Sequence, residues 1–238
     1  MAGTPREARM SEPALIPFAA PSSVTEQVFA SIYDAVVSLR LPPGAKVSEV
    51  EVARSLDVSR QPVRDAFFRL SALGFVSIRP QRATQVTRIS EATVQDAVLI
   101  RTALEVECLR RVVARAAPAE VGGLRGAVEA QRDALDADAA RFHALDEAMH
   151  ERICALAGHP HVWTVIREQK AHVDRIRFLS LSAGRRREVL AEHAAIVDAV
   201  AARDAGLAEA RLRAHLRSIL DAMPAIRAAH PDYFEAPG

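Results

Sequence analysis

The stretch SEVEVARSLDVSRQPVRDAFFRL, residues 48–70, constrains the fold most, because it places two short helical patterns almost end to end. Ser48 and Glu51 have the spacing of a capping box, which predicts a helix that runs through EVEVARSL. Only the dipeptide DV separates this helix from Ser59, the expected N-cap of the next one. Two short helices joined this tightly predict a helix-turn-helix.

The second helix of this motif has two different faces, because residues four apart stand about 40° apart around an α-helix. Its apolar face carries Val63, Ala66, Phe67 and Leu70, and its polar face carries Arg60, Gln61 and Arg64. The two arginines therefore point away from the core. An ordinary solvated face is the simpler explanation of such a pair, but the short turn, the cap and the clean apolar face together favour DNA binding.

A helix precedes the motif and a hairpin follows it. Apolar residues recur at helical spacing from Val24 to Leu39, and LPPGAKV ends that helix with two prolines and a glycine. The runs FVSIRP and TQVTRI are typical of strands and are separated by QRA. Residues 59–88 contain six arginines and one acid, a local charge of +5 in a chain of net charge +1. This order of elements predicts a winged helix that binds DNA phosphates.

Length and composition predict two domains with cores of their own, since the chain has 238 residues and is 50% hydrophobic. We expect a flexible leader at 1–21, a winged-helix domain at 22–90 and a helical domain at 91–230. No apolar run is long enough for a membrane helix and the leader lacks a signal-peptide core, so we expect a cytoplasmic protein. Cys108 and Cys154 lie in apolar helical patterns, which argues against a disulfide or a cysteine-based zinc site.

The chain after Ser90 contains helical patterns to about residue 226 and no convincing strand. Prolines and glycines divide these patterns into about six helices, which predicts a bundle. No glycine-rich phosphate loop and no nucleophile elbow is present. The predicted fold class is mainly α, with an N-terminal winged helix-turn-helix, a small β-hairpin wing and a C-terminal all-α bundle.

All eight histidines lie after residue 142, and some face the interior of the predicted bundle. The inward polar residues are Asp146 and His150 on one helix, His193 on a second and His215 on a third. A single buried histidine is usually bonded to a carbonyl, but a group of them would be desolvated without compensation unless they shared a divalent metal ion. This ligand set suits zinc, nickel, manganese, iron or cobalt and does not by itself choose among them; zinc is the first expectation. We interpret four other histidines as surface or helix-end residues: His143, His159, His161 and His230.

Two arginines are candidates for binding a small acid. Arg101 lies on the apolar side of its helical pattern, with Glu105 one turn further on. Either the two form an internal ion pair, or the guanidinium points into a cavity and binds a carboxylate bidentately. Arg177 lies near the apolar face of a later helical pattern, formed by Val162, Val173 and Ile176, and is a second candidate for effector binding.

The run SEVEVARSLDVSRQPVRDAFFRLSALGFVSIRPQRATQV resembles the winged-helix domain of the GntR family of bacterial transcription regulators, over about residues 22–90. The resemblance implies that the recognition helix and wing contact DNA through Ser59, Arg60, Gln61, Arg64, Arg82 and Thr84. Asp57 replaces the usual turn glycine, and Ala83 replaces the usual wing-tip glycine. Aspartate adopts a left-handed backbone more readily than alanine, so the wing is the less certain contact.

The helical half resembles the FCD effector domain of the FadR-like branch of this family. The residues that carry the likeness are Arg101 with Glu105, the run FHALDEAMH, Glu192-His193 and His215-Leu216. The resemblance implies a metal bound by Asp146, His150, His193 and His215, and a small carboxylate bound beside it. His159 departs from the family's AGNP segment, and we expect the change to affect a loop.

Together the two resemblances imply a ligand-responsive transcription regulator of the repressor kind. It would bind a palindromic operator in double-stranded DNA as a homodimer and sense a small organic or sugar acid at a metal-containing pocket. One alternative is a metal-dependent, hydrolase-like enzyme that uses the three histidines and the aspartate. Another is a regulator whose metal is purely structural. We expect no enzyme, because no general base is clearly placed and catalysis would not explain the winged helix.

Overall fold

The computed structural model describes residues 23–79, 83–136 and 139–236. Within these ranges the chain forms nine α-helices, one 3-10 helix and a three-stranded antiparallel sheet. The mainly α fold with a small sheet is as predicted. None of the helices in the described ranges is long and apolar enough to cross a membrane.

The N-terminal domain is a winged helix. Its elements are α1 (Val24–Val37), β1 (Lys46–Val47), α2 (Glu49–Ser55), α3 (Arg60–Ala72), β2 (Val76–Ser77) and β3 (Thr84–Val86). The sheet order is β1-β3-β2, so β3 pairs with both neighbours. The apolar face of α3 is buried against α1, and Val63, Phe67 and Leu70 are almost fully inaccessible. Strand β1 was not predicted, because two residues are too few to show a period.

The turn between α2 and α3 agrees with the sequence in one respect and differs in another. Asp57 has a φ of 52°, the left-handed conformation expected where the family has glycine. Ser48 and Ser59 are the N-cap residues of the two helices, but neither hydroxyl makes a capping hydrogen bond. The predicted capping box is therefore wrong, although the helix starts are correct.

In the wing, Gln81 and Arg82 lie outside the described residues, and Ala83 is exposed.

The C-terminal domain is a bundle of six helices, as predicted. They are α4 (Glu91–Arg115), α5 (Pro118–Asp133), α6 (Ala139–Leu156), α7 (Pro160–Ser180), α8 (Ala183–Ala201) and α9 (Ala205–Ala229). A 3-10 turn at Pro231–Tyr233 follows, and Phe234 forms an isolated bridge with Ile89 at the start of the bundle. Cys108 and Cys154 are buried, free thiols in the bundle core.

Helix α7 joins the two domains. Ala171 belongs to the hydrophobic core of the winged helix rather than to that of the bundle. The ring of His172 stacks on Phe75, with centroids 4.4 Å apart and planes inclined by 14°. Arg175, which is buried, donates from Nη2 to the carbonyl oxygen of Thr87 at 2.5 Å. One continuous helix therefore holds the winged helix against the bundle.

Candidate metal centre and DNA-binding surface

Four buried polar residues converge inside the bundle. Asp146 and His150 stand one turn apart on α6, His193 comes from α8 and His215 from α9. Each offers one ligand atom, and these four atoms all lie within 4.8 Å of one another. The structure thus brings together all four residues that the sequence selected.

The geometry of the facing atoms fits a bound cation. Nε2 of His193 lies 3.2 Å from Nε2 of His215 and 3.5 Å from Oδ1 of Asp146. Metal bonds of about 2.0–2.2 Å place neighbouring ligand atoms about 3 Å apart, which is close to these separations. Oδ1 of Asp146 and Nε2 of His150 find no hydrogen-bond partner within the described part of the chain. Unpaired buried polar atoms are costly, and a cation between them would remove that cost.

The other ring nitrogen of each histidine is held by an oxygen atom, which sets the tautomer. The three pairs are His150 Nδ1 with Glu105 Oε2 at 2.5 Å, His193 Nδ1 with Gln131 Oε1 at 2.7 Å, and His215 Nδ1 with Glu192 Oε2 at 2.6 Å. Because these oxygens only accept, each Nδ1 carries the proton and each Nε2 keeps its lone pair. Outer partners of this kind are typical of metal-binding histidines.

The local electrostatics favour the protonation states that metal binding requires. Burial lowers the pKa of His215 to about 4, although its bond to Glu192 opposes that shift. Burial also lowers the pKa of His193 well below its ordinary value. For Asp146, burial raises the pKa, but the opposing effects, of which that of the Arg177 guanidinium is the largest, bring the net pKa well below the usual one. His193 and His215 are therefore neutral, and Asp146 is ionised, at neutral pH.

Arg101 forms the internal ion pair that was one of its two predicted roles. Its Nε donates to Oε1 of Glu105 at 2.5 Å, and both side chains are buried. Its Nη2 is also buried and has no partner among the described residues. Burial raises the pKa of Glu105, but Arg101 and His150 outweigh it and the net shift is downward. Glu105 thus connects the arginine to the candidate metal centre, a link that the sequence did not indicate.

A small cavity of about 140 Å³ opens beside His215. Arg177, Arg185 and Ser218 line it. Arg177 donates from Nη1 to Oδ2 of Asp146 at 2.6 Å, so it contacts a candidate metal ligand directly. Arg185 donates to Ser218 Oγ at 2.7 Å. The cavity therefore presents guanidinium and hydroxyl groups next to the candidate metal centre, an environment that suits a small acid.

The exposed face of α3 carries a polar network. Arg60 and Arg64 are exposed, and both bind the carboxylate of Glu49 on α2. Gln61 donates from Nε2 to Oδ1 of Asp65 at 2.8 Å. Ser59 is exposed at the start of the helix. The predicted contact residues on the recognition helix therefore share one accessible surface.

Two family models match the chain. Residues 24–86 match the model of bacterial regulatory proteins of the gntR family, and residues 96–218 match the FCD domain. The chain belongs to the GntR family. Its two domains are those of the FCD-containing members, as the residues of both halves indicated.

Whole-length relatives agree with this membership. The chain is 38% identical over 208 residues to an HTH-type transcriptional regulator in an unstable DNA locus of Streptomyces ambofaciens, covering 87% of this chain and 88% of that one. It is 32% identical over 213 residues to the HTH-type transcriptional repressor RspR of Escherichia coli (strain K12), covering 89% and 93%. McbR/YncC of E. coli shares the fold, with a TM-score of 0.71 and 19% identity over 85% of this chain and 98% of that one. The chain is a DNA-binding transcription regulator and not an enzyme.

One of the predicted DNA contacts of this GntR regulator, Thr84, is not on the accessible surface. Thr84 is only 7% exposed, in the strand that pairs with β1, opposite Val47. Its hydroxyl is therefore not presented to solvent in this conformation. The matching wing position Arg82 lies outside the described residues.

The interpretation of His143 as a surface residue is wrong. His143 is buried, with Nε2 3.1 Å from Glu147 Oε1 and 3.6 Å from Asp174 Oδ1. His143, Glu147 and Asp174 thus form a second cluster of possible metal ligands. Lys170 is fully buried and pairs with both carboxylates, so its ammonium group supplies the positive charge that a metal ion would supply there. The spacings of His143 to Glu147 and of Lys170 to Asp174, four residues each, were the sequence signal for it.

Proposed function

We propose that this GntR-family regulator is a metal-containing, acid-responsive repressor that binds a palindromic operator as a homodimer. The observation that carries the metal and effector part is the arrangement of the three histidines. Each has its Nδ1 held by an oxygen and its Nε2 directed at a common point beside Asp146. A purely apolar packing role would not require three separate outer partners.

Asp146, His150, His193 and His215 would hold the ion, with zinc as the first candidate and nickel, manganese, iron or cobalt as the others. The ion would supply a Lewis-acidic anchor for a carboxylate. Residues of the chain would hold the ligands in position. Glu105, Gln131 and Glu192 would orient the imidazoles, and Arg177 would orient Asp146.

The charge around the centre favours an acidic effector. Three carboxylates, those of Glu105, Asp146 and Glu192, are matched by three guanidinium groups, those of Arg101, Arg177 and Arg185. A divalent ion would add two positive charges to this balanced and largely buried set. An uncompensated buried charge is expensive, so a small organic or sugar acid is the expected ligand, and one with two negative charges would restore the balance.

Arg101 and Arg177 are the proposed effector-binding residues. Nη2 of Arg101 is buried with no partner in the residues described, so a carboxylate oxygen would satisfy it. Arg177 already lies between Asp146 and the cavity beside His215. The cavity of about 140 Å³ has room for roughly four or five water molecules at about 30 Å³ each, so it admits only a compact acid.

The DNA part of the proposal assigns operator contacts to Ser59, Arg60, Gln61 and Arg64 on α3, and to Arg82 on the wing. The name of RspR, a repressor related along nearly its whole length, supports repression. A two-fold symmetric dimer would place two recognition helices in successive major grooves, so the operator would be palindromic.

The metal is tested by elemental analysis of protein prepared without metal-chelating resin. We expect a stoichiometric amount of one metal in the wild type and its loss in His193→Ala. His161→Ala, which removes an exposed histidine outside the cluster, is the matched control and should retain the metal. An equal metal content in His193→Ala and the wild type would contradict the proposed ligand set.

The effector is tested by adding a panel of small monoacids and diacids to the metal-loaded protein bound to DNA. An acid that changes DNA affinity in the wild type but not in Arg177→Ala would support the pocket. If metal is bound but no acid alters either DNA affinity or thermal stability, the metal is structural.

The recognition helix is tested by Arg60→Ala combined with Arg64→Ala. We expect loss of sequence-specific binding with the fold and metal content unchanged. Arg69→Ala is the control, because Arg69 lies on the same helix but pairs with Glu26 on α1. Specific binding that survives in the double variant would contradict the assignment.

A further inference from the structure

Glu49, the first residue of α2, lies against the recognition helix. Its Oε2 accepts hydrogen bonds from Nη2 of Arg60 and from Nη2 of Arg64, each at 3.2 Å, and its Oε1 accepts one from Nε of Arg64 at 3.4 Å. The Glu49 side chain is 26% exposed, whereas those of Arg60 and Arg64 are 59% and 45% exposed. One half-buried carboxylate therefore supports both of the exposed arginines.

The way in which Arg64 is held leaves part of its guanidinium free. A guanidinium has five N–H donors in a planar fork. Glu49 occupies the edge formed by Nε and one hydrogen of Nη2. Among the described residues, no partner is found for the end of the fork, which carries Nη1 and the second hydrogen of Nη2. That end can bind O6 and N7 of guanine as a pair of hydrogen bonds.

We propose that Glu49 is a positioning residue for sequence recognition, which acts by fixing the direction of Arg64 and, less tightly, of Arg60. The inference rests on the proposed operator contacts of these two arginines. A supported arginine has lost part of its rotamer freedom before DNA arrives, so less is lost when it meets the correct base. An arginine that turns toward a phosphate must leave Glu49, which disfavours binding to unrelated sequences.

A simpler explanation of the Glu49 carboxylate predicts a different effect on DNA binding. A carboxylate near DNA repels phosphates, and this effect is the same for every sequence. If Glu49 did only this, removing its charge would strengthen binding to all DNA by one factor and leave the ratio of specific to non-specific affinity unchanged. If Glu49 positions the arginines, the same change lowers that ratio. The ratio therefore separates the two explanations.

The experiment uses the full-length chain and three variants of α2. Glu49→Gln removes the charge, Glu49→Asp keeps the charge on a side chain one methylene shorter, and Glu51→Gln is the control. Glu51 is exposed on the same helix and makes no ion pair with either arginine in the part of the chain described. Exposed ion pairs contribute little to folding, so the variants should fold, which thermal unfolding checks.

Each protein selects binding sites from a pool of random double-stranded DNA. Affinity is then measured for the sequence that the wild type selects and for a scrambled duplex of the same composition, at several salt concentrations. We expect the specificity ratio of Glu49→Gln to fall by about tenfold or more, with weakened base preference at the positions read by the arginines. Glu49→Asp should show a similar fall, because the shorter carboxylate cannot support both arginines. Glu51→Gln should keep the wild-type ratio.

Two results would overturn the inference. If Glu49→Gln selects the same motif with the same ratio, and Glu49→Asp equals the wild type, the carboxylate only repels phosphate. If the wild type itself enriches no motif, the proposed operator recognition fails, and the role of Glu49 fails with it. The first result leaves the proposed function intact, so the two failures are distinguishable.

Discussion

Replacing Glu105 with glutamine tests whether the outer partners of the histidines serve metal binding. Glu105 is fully buried and contacts His150 Nδ1 and Arg101 Nε, both at 2.5 Å. Glutamine has almost the same shape as glutamate, so the packing around residue 105 is preserved. The variant loses the negative charge that holds the imidazole and balances the buried guanidinium.

Two effects of different size are expected from this change. Removing an outer partner of a metal-bound histidine lowers metal affinity by about 10- to 100-fold, or about 1.4–2.7 kcal/mol. Leaving Arg101 buried without its carboxylate lowers the free energy of unfolding by about 3–5 kcal/mol in the metal-free protein. Changing Arg101 to leucine in the same chain removes the unpaired charge, so the double variant should recover stability while its metal affinity stays low.

Metal affinity is measured by competition with a chromophoric chelator, and stability by urea unfolding of the metal-free protein. Glu107→Gln is the matched control, because Glu107 lies on the same helix and pairs with Arg111 at the surface. This control should change both quantities little, since exposed pairs contribute about 0–1 kcal/mol. Wild-type metal affinity in a folded Glu105→Gln variant would refute the proposed link between Glu105 and the metal centre.

Three further results are expected. Because burial lowers the pKa of His215 to about 4, the unfolded chain, with a histidine pKa of about 6.5, binds a proton there that the folded state does not. The metal-free protein should therefore lose about 3 kcal/mol of stability as pH falls from 6.5 to 4, and a flat urea-unfolding profile would contradict this. Thr84→Val should leave operator affinity unchanged in fluorescence anisotropy, since the hydroxyl is buried; a clear loss would restore Thr84 as a DNA contact. Arg101→Ala should keep DNA binding but lose the response to the acid, and a normal response would make Arg101 structural.

The parts of the fold that follow a helical period were predictable from the sequence. The apolar stripe of α3 determined which residues enter the core, and the spacing of Asp146 and His150 put both on one face of α6. The left-handed turn at Asp57 was implied by the family resemblance, since the family has glycine there and aspartate tolerates that conformation. Each of these features depends on residues close together in the chain.

Contacts between distant segments were not predictable in the same way. Glu105 is 45 residues from His150, and Gln131 is 62 residues from His193, so their pairing depends on how whole helices are rotated and packed. His143 was misassigned because its partners are charged groups, Lys170 among them, rather than the apolar neighbours that mark a buried stripe. In the sequence Glu49 is only an acidic residue at the start of a helix, and its contacts with Arg60 and Arg64 depend on how α2 packs against α3.

Because α7 packs into the winged helix, the N-terminal domain is incomplete when it is expressed without the bundle. Ala171 fills the winged-helix core and Phe178 packs against it, yet they lie 85 and 92 residues beyond Val86, the last residue of the wing's final strand. A fragment that stops near residue 90 would lack both side chains and would uncover the ring of Phe75, which is inaccessible in the whole chain. The boundary between the domains along the sequence is therefore not a boundary of folding. The DNA-binding unit is completed by a helix of the bundle, and the two halves should melt in one cooperative transition.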